Sequence, residues 1–159
     1  MKNVIFLTGQ MAIALANGFV SSGLISASQI LASAPSDTNL KTWREFSAET
    51  THDNIEVIQK CDMIFLSVKP HIFPKVLENI KNSLKNEFVT AESKLFVSIM
   101  AGTKMETLSG CLKEIVKSPR IIRVHPNTPA MVGEGCAVYS LGEGIIVLRT
   151  KGEKLHEMN

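Results

Sequence analysis

A glycine and an alanine at nucleotide-binding spacing follow the first apolar run of the chain, Val4 to Leu7. Gly9 and Ala12 stand at the second and third positions of the dinucleotide pattern G-x-G-x-x-G/A. There the glycine lets the backbone approach a pyrophosphate, and the small third residue lets the helix pack closely on the strand. Leu7 replaces the first glycine, where the chain must turn tightly. This half pattern leaves a phosphate-binding loop and a plain strand–turn–helix as equal alternatives.

Small residues follow the second apolar run, in the segment Ser33-Ala34-Pro35-Ser36. An acidic residue at this place would accept hydrogen bonds from a ribose 2′-hydroxyl and repel a 2′-phosphate. Its absence favours NADP over NAD, although Asp37 stands close and no arginine follows immediately. A serine-rich turn without a ligand is the alternative.

A lysine follows a central apolar run, in the segment Ser67-Val68-Lys69-Pro70. Pro70 prevents the strand from continuing, so Lys69 would lie over the edge of a sheet where a dinucleotide binds. A solvated loop lysine is the alternative, and the commoner one. His71 and His125 stand in similar loops without a Ser, Cys or carboxylate partner at a diagnostic spacing. We therefore assign no catalytic residue.

The elements that position these residues alternate between short apolar runs, typical of buried strands, and segments of helical period. Such alternation predicts right-handed βαβ units, and hence an α/β fold with a doubly wound, mostly parallel sheet. Ligand sites in such sheets form at the carboxyl ends of the strands. The predicted strands are Val4 to Leu7, Gln29 to Ser33, Met63 to Val68, Leu95 to Ile99 and Arg120 to Val124, and the predicted helices are Gln10 to Ser22, Asn39 to Ser47, Asn54 to Cys61, Phe73 to Leu84 and Met105 to Val116.

The composition limits the classes of partner. The chain has 159 residues, 45% hydrophobic and 20% charged, with a formal net charge of +2. It can bury one core, and it lacks the basic excess with which proteins neutralise nucleic-acid phosphates. Three widely spaced cysteines without a ligand pattern predict neither a disulfide framework nor a metal site. No apolar run approaches the roughly 20 residues that cross a bilayer. We expect no nucleic-acid, membrane or metal partner.

The apolar start of the chain has two interpretations. Ala14-Leu15-Ala16 could be the cleavage site of a signal peptide. Gln10 interrupts the apolar stretch, however, and the same residues fit a buried strand, a tight turn and an amphipathic helix. We favour the second interpretation and expect a cytoplasmic protein.

Together, these segments resemble the N-terminal NAD(P)-binding domain of the pyrroline-5-carboxylate reductase family, and its shorter animal paralogue in particular. The match runs from about Val4 to Tyr139, in the order expected from the predicted elements. The matching motifs are Gly9-Gln10-Met11-Ala12, Ile30-Leu31-Ala32-Ser33-Ala34-Pro35, Val68-Lys69-Pro70-His71, Ala101-Gly102 and Pro126-Asn127-Thr128-Pro129 followed by Glu134-Gly135.

The resemblance implies a Rossmann-like domain and an oxidoreductase of proline biosynthesis, which reduces the small imine 1-pyrroline-5-carboxylate to proline in the last step. It implies NADP(H) as the cofactor, with NAD(H) as the alternative. The protein would orient the cofactor, which itself carries the hydride. The implied cofactor-binding residues are Thr8, Gly9, Gln10, Met11, Ala12, Ser33, Pro35, Asn54, Ser67, Val68, Lys69, Pro70 and Ala101.

The sequence differs from the family pattern in two places, at Leu7 and after residue 141. We expect Leu7, in place of the first glycine, to weaken cofactor binding. We also expect residues 1–141 to be the cofactor-binding domain and residues 142–159 a divergent, poorly ordered tail, with a strand-like run from Ile145 to Leu148.

The family's second, helical domain holds the substrate and builds a homo-oligomer, and nothing in this sequence resembles it. Hydride transfer needs the imine held close to the nicotinamide, so we expect a truncated chain that is inactive alone. The alternatives are a non-enzymatic dinucleotide-binding or interaction module and a fragment of another Rossmann imine or ketone reductase.

Overall fold

A computed structural model describes residues 2–7, 10–85 and 94–142 of the chain. Thr8, Gly9 and the tail from residue 143 onward, including the run from Ile145 to Leu148, lie outside the described residues. In the described part, strands and helices alternate as the sequence predicts. They are β1 (Lys2–Leu7), α1 (Gln10–Ser21), β2 (Ile30–Ser33), α2 (Asp37–Glu45), β3 (Glu49–Thr51), α3 (Asn54–Lys60), β4 (Cys61–Leu66), α4 (Phe73–Leu84), β5 (Leu95–Ser98), α5 (Met105–Lys113), β6 (Arg120–Pro126) and β7 (Ala137–Leu141), with short 3-10 helices at Ala27–Gln29 and Thr128–Val132.

The strands form one seven-stranded sheet in the order β3-β2-β1-β4-β5-β6-β7. Strands β1 to β6 are parallel, and β7 pairs with β6 in the antiparallel direction. From β1 the chain first builds outward to β2 and β3, then returns to place β4 on the other side of β1. The predicted α/β fold with a doubly wound, mostly parallel sheet is confirmed, and its strand order changes direction between β1 and β4.

The central strands β2, β4 and β5 are buried on both faces of the sheet, which explains their continuous apolar sequences. Successive side chains of a strand point to opposite faces, so the neighbours Ile64 and Phe65 of β4 belong to different core clusters. One cluster packs the sheet against α3, α4 and α5 and contains Phe96. The other packs it against α1 and α2 and contains Trp43.

Two strands were not predicted from the sequence, and several predicted helices have different bounds. Strand β3 is a short polar segment at the sheet edge, without the apolar pattern of a buried strand. Strand β7 is mostly apolar in sequence, yet all five of its residues are exposed. Helix α2 begins and ends two residues before the predicted Asn39 to Ser47, and Cys61, the predicted end of α3, begins β4. Helix α5 ends at Lys113 instead of Val116. Ile115 and Val116 follow the end of the helix and are buried in the core. In the sequence, these two apolar residues look like one more turn of the helix.

Neither a metal centre nor a membrane span is found in the part of the chain that the structure describes. No group of three or more His, Cys, Asp or Glu side chains there could hold a metal ion. None of the described helices has the length and apolar character needed to cross a membrane.

Candidate cofactor-binding site

The carboxyl ends of β1 to β6 meet at one edge of the sheet, called here the carboxyl edge. Every implied cofactor-binding residue that the structure describes stands at this edge, although these residues are spread over most of the chain. They are Gln10, Met11 and Ala12 after β1; Ser33 and Pro35 at the end of β2; Asn54 after β3; Ser67, Val68, Lys69 and Pro70 after β4; and Ala101 after β5.

The connection from β1 to α1 is as short as a phosphate-binding loop requires. Leu7 still belongs to β1, paired with Ser33 of β2 and Leu66 of β4, and α1 begins at Gln10. The leucine in place of the first glycine therefore leaves β1 intact through Leu7. The first amides of α1 lack partners within the helix, and such amides can bind an anion.

Ala12 brings the start of α1 close to the sheet. It is fully buried in the core cluster that also contains Ile30 and Ala32 of β2. A larger side chain at this place would separate the helix from the strands. Ala12 thus fulfils the packing role of the third position in the dinucleotide pattern.

Ser33 and Asn54 join the ends of β2 and β3. The buried Ser33 hydroxyl donates to Asn54 Oδ1 over 2.8 Å. Asn54 is the first residue of α3, and the preceding Asp53 caps this helix by accepting from the Ile55 amide over 2.8 Å. The Asp53 amide in turn donates to Thr51 Oγ1 over 3.1 Å. The cap therefore fixes Asn54 beside Ser33.

Replacing Asp53 with alanine is expected to lower the free energy of unfolding by about 1 kcal/mol, because the Ile55 amide loses its acceptor. Urea unfolding followed by circular dichroism measures the loss. Ser36→Ala is the matched control, since Ser36 precedes α2 at the same position without a side-chain cap hydrogen bond. Equal losses in the two variants would show that the Asp53 cap does not stabilise α3.

Three charged or titratable side chains that sequence reasoning did not assign lie beside the loop after β2. Asp37, the first residue of α2, accepts a hydrogen bond from Arg44 Nη2 of the same helix. His52 places Nε2 3.5 Å from Asp37 Oδ1. The hydrogen bond and charge of Arg44 hold the pKa of Asp37 below its usual range, which favours the ionised carboxylate. These three residues are called here the Asp37 cluster.

Part of this cluster was visible in the sequence. Asp37 and Arg44 are seven residues apart, which is two helical turns, so they share a helix face. His52 gave no such signal, because the unpredicted strand β3 brings it to the carboxyl edge. Its Nδ1 donates to the Ala34 carbonyl over 2.8 Å.

The loops after β4 and β5 are exposed at the carboxyl edge. Lys69 and Pro70 are exposed, in a turn closed by the Ile72 amide on the Lys69 carbonyl at 2.9 Å. After β5, Ala101 is exposed and Gly102 has a positive φ of 72°. A Cβ at Gly102 would meet nothing within 4 Å. The chain at the end of β5 is therefore exposed, with local space beside Gly102.

The polar loop after β6 closes into a hairpin with β7. Asn127 Oδ1 accepts from the Cys136 amide over 2.9 Å, and the Asn127 amide donates to the Cys136 carbonyl over 3.1 Å. The preceding His125 is exposed. The asparagine of this motif therefore binds the chain's own backbone.

Residues 3–102 match the family described as NADP oxidoreductase coenzyme F420-dependent. The chain belongs to this family. The predicted resemblance to pyrroline-5-carboxylate reductases is also confirmed. The chain is 41% identical over 134 residues to pyrroline-5-carboxylate reductase 3 of Bos taurus, a match that covers 84% of this chain and 41% of that protein.

Two solved structures share the fold. Pyrroline carboxylate reductase of Plasmodium falciparum, solved with NADP bound, is 31% identical with a TM-score of 0.70, and the match covers 91% of this chain and 49% of that one. The reductase of Coxiella burnetii has a TM-score of 0.74 at 26% identity, covering 91% and 51%. The chain spans less than half the length of the curated relatives it matches.

Proposed function

We propose that residues 1–141 are the NADP(H)-binding domain of an enzyme that reduces 1-pyrroline-5-carboxylate to proline. The observation that carries this proposal is the closely packed start of α1 beside the β1–β4 switch, where dinucleotide pyrophosphates bind in doubly wound folds. The similarity to the NADP-bound Plasmodium falciparum enzyme supports the choice of cofactor. NAD(H) is the alternative cofactor that the experiment below includes.

Each part of the carboxyl edge fits one part of such a cofactor. The amides of Thr8 to Met11 would hold the pyrophosphate, with Ala12 setting how closely α1 approaches. Ser33, Pro35 and Asn54 would face the adenosine ribose, and Lys69, in the segment from Ser67 to Pro70, would place its charge over the switch. Ala101 would leave space for the nicotinamide. The bound cofactor supplies the hydride, and the protein orients it.

The reaction needs more than this edge. Transfer of a hydride requires the imine carbon to be held near the nicotinamide, and that positioning supplies much of the rate. The relatives have more than half of their length outside the match. We propose that this other part holds the substrate and forms the homo-oligomer, and that the matched domain alone binds cofactor with little turnover. A cytoplasmic location and the lack of nucleic-acid and membrane partners stay predictions.

A calorimetric titration of the purified chain with NADPH and then NADH tests the proposal. We expect saturable NADPH binding, and little oxidation of NADPH when 1-pyrroline-5-carboxylate is added to the same sample. If neither dinucleotide binds, the proposed function is wrong. Full turnover by the chain alone would contradict the proposed division of labour and leave the cofactor assignment standing.

A further inference from the structure

The Asp37 cluster lies where a cofactor's 2′-substituent would be recognised. We propose that Arg44 makes this end of the site selective for a 2′-phosphate by neutralising the Asp37 carboxylate. The proposal rests on the proposed function, since it concerns how that cofactor is distinguished from NAD(H). It assigns a specificity-determining role to a residue outside the cofactor-binding motifs.

The cluster is fixed to the loop after β2. His52 binds the Ala34 carbonyl, and the Ala34 amide donates to the Thr51 carbonyl over 3.3 Å. Both contacts tie this loop to the end of β3. Asp37 begins α2 only three residues after Ala34. The carboxylate is therefore held beside the loop at which doubly wound proteins read the ribose 2′-position.

An unpaired carboxylate here would oppose NADP(H). A 2′-phosphate carries up to two negative charges, whereas the 2′-hydroxyl of NAD(H) carries none. In water-like surroundings, the repulsion between one carboxylate and such a dianion nearby is enough to weaken binding about tenfold. The positive charge of Arg44, paired with Asp37, would offset this repulsion. Loss of the Arg44 charge should therefore lower the affinity for NADPH and hardly change the affinity for NADH.

Two hydrogen bonds hold the Arg44 guanidinium beside Asp37. Its Nε donates to Thr50 Oγ1 over 3.1 Å, while Nη2 binds Asp37. These two contacts use part of the five donors of a guanidinium. The Arg44 side chain is 49% exposed, so its charge also reaches the solvent in front of the loop.

The test compares NADPH and NADH dissociation constants of the full chain and its variants by calorimetry. We expect Arg44→Gln to weaken NADPH binding about tenfold and to change NADH binding by less than about twofold. Arg44→Lys keeps the charge and is expected to keep most of the preference. Asp37→Asn combined with Arg44→Gln is expected to recover most of the lost NADPH affinity, because no carboxylate is left to neutralise.

Lys41→Gln is the matched control. It removes the same charge from the same helix, at an exposed residue whose ion pair is with Glu45 at 3.9 Å. An equal NADPH loss in this variant would overturn the proposal in favour of a general charge effect. An NADPH-specific loss in Arg44→Gln that the double variant fails to recover would also overturn it, because Arg44 would then act without Asp37.

The wild-type titration separates the two proposals. If the wild-type chain binds neither dinucleotide, the proposed function fails and this inference fails with it. If it binds NADPH and Arg44→Gln leaves the ratio of the two affinities unchanged, only the role of Arg44 is overturned. Thermal unfolding of each variant without cofactor shows whether the fold is intact, and Arg44→Lys provides the comparison if Arg44→Gln unfolds.

Discussion

Replacing Phe96 with alanine is expected to lower the free energy of unfolding by about 3–5 kcal/mol. Phe96 is 1% exposed in β5, and its register neighbours are Ile64 of β4 and Ile121 of β6. The hydrogen-bonded strands on both sides cannot collapse into the space that the ring leaves. A small cavity already lies beside the ring, lined also by Ile58 and Leu77, and the substitution would enlarge it. The total stability of a domain is about 5–15 kcal/mol, so the variant would lose a large fraction of it.

The single tryptophan of the chain is a useful probe for this experiment. Trp43 is 1% exposed and belongs to the core cluster on the opposite face of the sheet from Phe96. If the two faces unfold together, Trp43 fluorescence and far-ultraviolet circular dichroism will follow one urea transition, shifted equally by Phe96→Ala. Two separate transitions would contradict a single cooperative domain.

Leu24→Ala controls for the loss of apolar side-chain atoms. Leu24 is 71% exposed, so its truncation leaves no buried cavity. We expect a change below about 0.5 kcal/mol. A Phe96→Ala loss no larger than this control would mean that the core relaxes around the missing ring, against the close packing of the described sheet.

Most of the fold could be predicted from the sequence because the central strands are buried. Strands β2, β4 and β5 are covered by helices on both faces, so their apolar runs are continuous and could be recognised without knowing their partners. Edge strand β3 carries no such run, and the apolar residues of edge strand β7 are exposed instead of buried. Both strands depend on a neighbouring strand that the local sequence does not specify. The doubly wound topology was predictable because alternating strands and helices admit few connections.

The candidate site was predictable to the extent that its residues stand at strand ends. Ser33 and Asn54 are 21 residues apart in the chain, yet both follow from the rule that sites form at the carboxyl ends of parallel strands. Their hydrogen bond, and the contact of His52 with Asp37, depend on where β3 pairs. Such contacts belong to the tertiary structure, and no spacing in the sequence encodes them. The cofactor-binding roles themselves stay predictions.

The packing of α1 gives the second prediction with a large expected effect. Ala12→Leu is expected to lower the free energy of unfolding by about 1–3 kcal/mol, because three more carbon atoms must enter a filled core. It is also expected to weaken NADPH binding at least about tenfold, since displacing the start of α1 moves the amides that would face the pyrophosphate. Calorimetric titration at a temperature where the variant is folded measures the second effect separately from the first.

Two further positions of the same helix provide controls for this variant. Ala16 is fully buried one turn further along α1, and the adjacent Asn17 is exposed. Ala16→Leu should therefore cost a similar amount of stability while displacing a part of the helix more distant from the carboxyl edge, with a smaller loss of NADPH affinity. Asn17→Leu places the same side chain on the solvent side of α1 and should change neither quantity appreciably. Equal affinity losses in Ala12→Leu and Ala16→Leu would contradict a pyrophosphate site at the start of α1, because the loss would then follow overall destabilisation instead of the position of the helix end.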